Sequence, residues 1–277
     1  MSVCIAAICR GKKIIAVTDR KVSSVEFSNE DAAIKILHVN HNWFAMFAGN
    51  DITPAVPIVD DVHEWLATKP NTLANARDAF EQCYQRYLSK LAAAKYLGRW
   101  QLSMQQFIDI GREKFGDDVF DNLCSQIEQV KLQFQFLVGG FDEDQYAHLF
   151  VVRNPGISDV KDLPGYWAIG DGDFAAMSTL GYFKQSVIAD WANTTYNVWA
   201  AKFMAEKATS TVGELSFNIL YGPNGEESFP ETEPIARRAW RKDGRPSVPK
   251  GVIQMIEAQA RRDRPKRSTP RKSEPGQ

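Results

Sequence analysis

The first fifty residues constrain the fold more than any later stretch. Residues 3–9 and 13–18 are short apolar runs split by Arg10-Gly11-Lys12, a turn signal, and read as a buried β-hairpin. A polar stretch, residues 23–31, follows. Residues 34–39 and 43–48 then form a second hairpin around Asn40-His41-Asn42, ending at Gly49. Free chain ends are poorly ordered unless a sheet or a docking contact ties them down. A strand that starts at residue 3 therefore predicts that Ser2 is held in place.

From residue 54 to about residue 131 the character turns helical. Ile58, Val62, Trp65 and Leu66 recur at helical spacing, as do Leu73, Ala76, Phe80, Tyr84, Tyr87, Leu88 and Leu91 behind an Asn71/Thr72 cap. A further amphipathic block covers 104–129, punctuated by Gly111 and Gly116. The aromatics of this region read as core. Strands return at 134–139 and 148–152, joined by Gly-Gly-Phe-Asp-Glu-Asp, and at 166–169, which closes on Gly170-Asp171-Gly172-Asp173. Helical patterns over 174–188 and 195–208 precede a last strand at 215–221. Two helical blocks between strands predict a layered α+β protein with a largely antiparallel sheet component, not a regular βαβ repeat.

The chain of 277 residues is 44% hydrophobic, enough for one large core or two modest ones. A net charge of −1 gives the molecule as a whole no electrostatic case for nucleic acid or an acidic membrane. Cys4, Cys9, Cys83 and Cys124 lack metal or redox spacing and lie in apolar patterns, so they read as reduced thiols of a cytoplasmic protein. No basic segment precedes the first apolar run, and no run approaches the roughly 20 residues of a membrane span. After Gly222 core signals fade. Residues 223–277 read as a basic, mostly disordered tail in which RRDRPKRSTPRK offers weak electrostatic affinity for an acidic or nucleic-acid partner.

One ordered set of motifs adds to this reading. Thr18-Asp19-Arg20, Lys35-Ile36-Leu37, Phe47-Ala48-Gly49, Phe136-Leu137-Val138-Gly139-Gly140-Phe141-Asp142 and Ala168-Ile169-Gly170-Asp171-Gly172 occur in an order and spacing that resemble proteasome β-type subunits and their bacterial ring-peptidase relatives, within the N-terminal-nucleophile hydrolases. The resemblance covers residues 2–222, with an enlarged helical block at about 54–131. It implies a four-layer αββα sandwich, a nucleophile on the first residue of the mature chain, and homo-oligomeric rings that admit peptides or unfolded proteins. No cofactor and no metal is implied.

Carried over residue by residue, the resemblance puts the nucleophile at Ser2, exposed by removal of Met1. The free α-amine, with a reference pKa of roughly 7.7–8.0, would accept the hydroxyl proton. Lys35 matches the active-site lysine whose charge disfavours protonation of that amine, and Asp19 matches its acidic partner. A lysine on a half-buried strand is costly unless paired, so the residues alone also point to an Asp19–Lys35 ion pair. Gly49 matches the oxyanion-hole donor. Asp171 stands where the family has Ser, and a carboxylate beside the amine would oppose Lys35. Ala208 and Thr211 stand where it has Asp and Ser. Cys4, two residues along the same face as Ser2, reads as packing. The function implied is peptide-bond hydrolysis. A non-catalytic ring or scaffold subunit, a small-amide hydrolase on the same fold, and a nucleic-acid module using the tail are the alternatives.

Overall fold

The computed structural model describes residues 2–10, 12–23, 28–29, 34–227 and 231–244. Met1, Gly11 and the basic segment of the tail lie outside them. The chain begins with β1 (Val3–Cys9) and β2 (Lys13–Asp19), then a two-stranded ribbon of β3 (Val22–Ser23) and β4 (Ser28–Asn29), then β5 (Ile36–His38) and β6 (Trp43–Gly49). Helices α1 (Ala55–Leu66), α2 (Leu73–Tyr96), α3 (Met104–Phe115) and α4 (Asp117–Glu128) follow. Strands resume as β7 (Phe134–Phe141), β8 (Ala147–Arg153), β9 (Ile157–Val160) and β10 (Tyr166–Gly170). Helices α5 (Asp173–Tyr182) and α6 (Trp191–Ala208), strands β11 (Ser216–Gly222) and β12 (Gly225–Glu227), and helix α7 (Glu233–Ala239) complete the order.

Two antiparallel five-stranded sheets carry the architecture, one in the order β10-β1-β2-β11-β12 and the other β5-β6-β7-β8-β9. Successive side chains of a strand point to opposite faces, and β6 shows what that means here. Its Phe44, Met46 and Ala48 join Cys4, Ala6, Ile14, Ala16 and Ile219 of the first sheet in one apolar layer. Its Trp43, Ala45 and Phe47 face the other way, onto Ile58 and Val62 of α1 and Phe80 and Tyr84 of α2. Both faces are dry, which is why WFAMFA shows no polar alternation. On the first sheet, α6 packs against β1 and β2, and α5 against β10 and β1. The protein is thus a mixed helix-and-sheet structure in which both strands of the opening hairpin are buried.

The helical block divides in two. Thr72 caps α2 by accepting the amide of Asn75 at 3.2 Å, and α1 and α2 cover the second sheet. Helices α3 and α4 instead close a small cluster of their own around Leu97, Phe107 and Leu123. Gly116, at φ +77°, separates them as expected. Gly111 does not break anything: it sits inside α3, where a Cβ would lie 2.9 Å from Phe107 and 3.0 Å from Phe120.

Regular structure continues past Gly222, where the apolar signals fade. Strand β12 pairs with β11 and is tied to β2 by a Lys13–Glu227 ion pair of 2.6 Å. Helix α7 is held by charge: the Arg237 guanidinium bonds both oxygens of Glu206 and one of Glu233, and stacks over Phe203 at 4.2 Å. Hydrophobic periodicity does not report attachments of this kind. The chain divides into two units, Met1–Arg238 and Ala239–Gln277. Of the second, residues 239–244 are described, mostly as one turn at Trp240–Gly244.

Candidate functional site

Asp19 is the last residue of β2 and is completely buried. The β1–β2 register sets Cys4 opposite Thr18, which brings the carboxylate beside the start of β1. Its Oδ1 accepts the Val3 amide at 2.9 Å and the Lys35 ammonium at 2.9 Å. Its Oδ2 accepts the amides of Gly213 at 3.1 Å and Lys21 at 3.2 Å. Four donors occupy both oxygens, so the buried carboxylate is fully partnered. Lys35, only 2% exposed just before β5, also donates to the Lys21 carbonyl at 2.5 Å. The ammonium and the peptide that follows Ser2 therefore meet on a single oxygen atom.

Ser2 is 1% exposed. Gly170 lies across from Val3 at φ +99°, a conformation that favours glycine. A Cβ there would be 2.2 Å from the Ser2 carbonyl oxygen and 3.1 Å from the Ala48 Cβ. The Ser2 carbonyl also accepts the Gly172 amide at 3.4 Å. The start of β1 and the ends of β6 and β10 thus converge on one point, with Gly49 next in line after Ala48. Gly49 has a structural reason of its own to be glycine: a Cβ would meet the Gln133 carbonyl oxygen at 2.2 Å and Phe134 Cα at 2.4 Å.

Asp171 is exposed and accepts the Thr211 hydroxyl at 2.8 Å. Ala208 is exposed at the end of α6. Asp173, at the start of α5, has its carboxyl held above the ordinary range by burial, with the Asp171 charge adding to it. Cys4 points its sulfur at the Thr18 hydroxyl and the Phe47 carbonyl, both 3.3 Å away. Burial pushes its thiol up to about 12 despite the nearby Lys35 charge. A thiol with so little thiolate is inert.

Sequence reasoning marked Thr211 and nothing else in the 209–215 connection between α6 and β11. Its Ser210 carbonyl takes the Lys21 ammonium at 3.0 Å, Thr211 binds Asp171, Gly213 binds Asp19, and the Leu215 carbonyl takes the Arg20 amide at 3.0 Å. No periodicity marks such a segment. One signal was available, a lysine at position 202 inside the apolar run VWAAKFMA. Among the described residues, no group of three or more His, Cys, Asp or Glu side chains is placed to hold a metal ion.

Neither a family model nor a curated protein matches the sequence. Among solved structures, the chain is similar to eukaryotic HslV from Trypanosoma brucei, with a TM-score of 0.50 over 79% of this chain and 99% of that chain, at 14% identity. The likeness is one of fold: this chain shares a mixed helix-and-sheet architecture with HslV. At that identity the likeness extends to the fold and not to the activity. In this chain the converging ends of β1, β6 and β10 lie next to the buried Asp19–Lys35 pair. Among the described residues, no helix is long and apolar enough to cross a membrane.

Proposed function

We propose that the protein is a proteasome-like peptidase subunit whose nucleophile is the Ser2 hydroxyl, exposed when Met1 is removed. The observation that carries this reading is the shared oxygen of Asp19, which bonds both the Lys35 ammonium and the amide of Val3, one peptide from Ser2. That geometry sets a fixed positive charge close to where the α-amine would stand. A positive neighbour disfavours the protonated amine and keeps it available as a base. The arrangement of helices, two facing sheets and helices is read as the four-layer αββα sandwich. Residues 2–222 are read as its domain and 223–277 as a basic tail, of which β12 adds a strand to the first sheet.

In the reaction the hydroxyl oxygen of Ser2 attacks the scissile carbonyl carbon as its proton passes to the amine. The amide of Gly49 stabilises the resulting oxyanion. Collapse breaks the C–N bond, the amine-held proton goes to the departing nitrogen, and an ester on Ser2 remains for water to cleave. A terminal amine in this role contributes about 10²–10⁴-fold. Serine lacks the methyl that stiffens χ1 of threonine, so the buried surroundings of Ser2 must orient it. Ring assembly of identical subunits would confine this activity to unfolded chains or peptides.

A second reading, a non-catalytic subunit of the same fold, is favoured by one observation: Asp171 directs its carboxylate to Thr211, and exposed Ala208 supplies no polar group. Hydrolysis of a panel of fluorogenic peptide amides by wild type, Ser2→Ala and Lys35→Ala separates the two. The peptidase reading expects turnover by wild type and loss of at least about a hundredfold in each variant. Equal turnover by Ser2→Ala would overturn it, and no turnover by wild type would leave the scaffold reading standing in its place.

A further inference from the structure

Lys202 is the most deeply buried cation of the described residues outside the Asp19–Lys35 pair, and the reaction proposed above makes no use of it. It lies on α6 with no exposed surface and spends its ammonium on three acceptors: the Glu206 carboxylate one turn on, the Gly213 carbonyl at 2.8 Å and the Glu214 carbonyl at 2.7 Å. Glu206 is gripped in turn by Arg237 at 2.8 and 2.9 Å, and Arg237 by Glu233 at 2.7 Å. A buried ion of this kind adds little net stability, because desolvation offsets the attraction. Burial holds the ammonium below its ordinary range in spite of Glu206. Its hydrogen bonds go where no helix needs them, to two consecutive carbonyls of the 209–215 connection.

The Gly213 peptide is held from both sides. Its carbonyl takes Lys202, and its amide donates to Oδ2 of Asp19, whose other oxygen carries Lys35 and Val3. A continuous chain of bonds therefore runs from Glu233 and Arg237 through Glu206 and Lys202 to the pair beside Ser2. We propose that Lys202 is a positioning residue for the reaction, clamping the 209–215 connection so that the Gly213 amide fixes Asp19 and, through it, the Lys35 ammonium. The role rests on the Ser2 reading for its consequence in catalysis, and on the geometry alone for the clamp. Without the clamp, Gly213 swings from Asp19 and the ammonium sits less firmly beside the amine. The amine is then protonated more readily, so the half-maximal pH of kcat rises.

Lys202→Met fills the volume of the side chain and removes all three bonds; Lys202→Arg keeps a cation with donors. The full-length protein is assayed with a fluorogenic peptide amide across the pH range, with hydrogen exchange of the Gly213 and Val3 amides read in parallel. In Lys202→Met, kcat is expected to fall about ten- to a hundredfold with KM held within about twofold. Its half-maximal pH moves upward, the two amides exchange at least about tenfold faster, and those of β7 do not change. Lys202→Arg restores part of the protection. Should Lys202→Met fail to fold, Glu206→Gln, which removes the counter-charge and one of the two oxygens that hold Arg237, is read by the same exchange measurement. Unchanged Gly213 protection with an unchanged kcat overturns the clamp. Altered protection in a protein whose Ser2→Ala variant is as active as wild type overturns the Ser2 reading and leaves the clamp intact.

Discussion

Asp19 joins four donors, one from its own turn and three from separate segments, so its removal and that of its partner should differ in cost. Asp19→Ala strands a buried ammonium and releases the Val3, Lys21 and Gly213 amides together. Breaking a buried pair by deleting one member typically costs about 3–5 kcal/mol. Lys35→Met leaves Asp19 with three amide donors and should cost less, about 1–3 kcal/mol. Urea unfolding of both variants checks the order, and equal losses would show that the amides add nothing. At this scale the sequence was legible where a charge stands at the end of an apolar run, as Asp19 does in β2 and Lys35 just before β5. Gly213 was invisible, because a backbone amide acts there and any residue but proline carries one. Lys202 was visible as an anomaly but not as a role.

Elements were legible where burial repeats and less so where hydrogen bonds decide. The six large strands of the two facing sheets and the helices over sheet two follow from apolar runs. The 174–188 helix instead stops at Tyr182, and α6 begins at Trp191, because Asp190 caps it through the Asn193 amide at 2.8 Å. Strand β9, half exposed and four residues long, carries no pattern to read. A second charge cluster is built where β8 meets β7. His148 stacks on Trp43 and turns Nδ1 to Asp162 at 2.7 Å and Nε2 to Asp142 at 3.2 Å. Two carboxylates on two ring nitrogens ask for the doubly protonated form. Burial pulls the imidazole down, but the two carboxylates outweigh it and its pKa lies above the ordinary value. A base raised on folding contributes stability that is complete below its unfolded pKa of about 6.5 and is lost as pH rises through the folded one. His148→Gln should therefore cost about 1–2 kcal/mol more in acid than in alkali. Thermal or urea unfolding at both extremes measures it, and a cost independent of pH would contradict the charged form.

Across the whole molecule, the apolar layer shared by the two sheets leaves β1 buried along its full length and β2 along nearly all of it. A first strand buried along its full length is what a nucleophile at position 2 requires, since hydroxyl and base then ride on one rigid backbone. Large apolar side chains stay exposed on and beside α5, among them Phe174, Tyr182 and Ile188. Exposed apolar patches commonly mark contact surfaces, and the ring proposed above would cover these side chains. The mixed helix-and-sheet fold was legible in the strand and helix patterns, whereas the charged anchoring of α7 and the 209–215 connection depends on pairings between distant segments that no local pattern encodes. The central claim is that Ser2 is the first residue of the working protein and its nucleophile. Tandem mass spectrometry of the N-terminal peptide, after treatment with an electrophilic peptide vinyl sulfone, tests both halves at once. The predicted result is a chain that starts at Ser2 and carries the adduct there; a retained Met1, or an adduct confined to another residue such as Cys124, would contradict it.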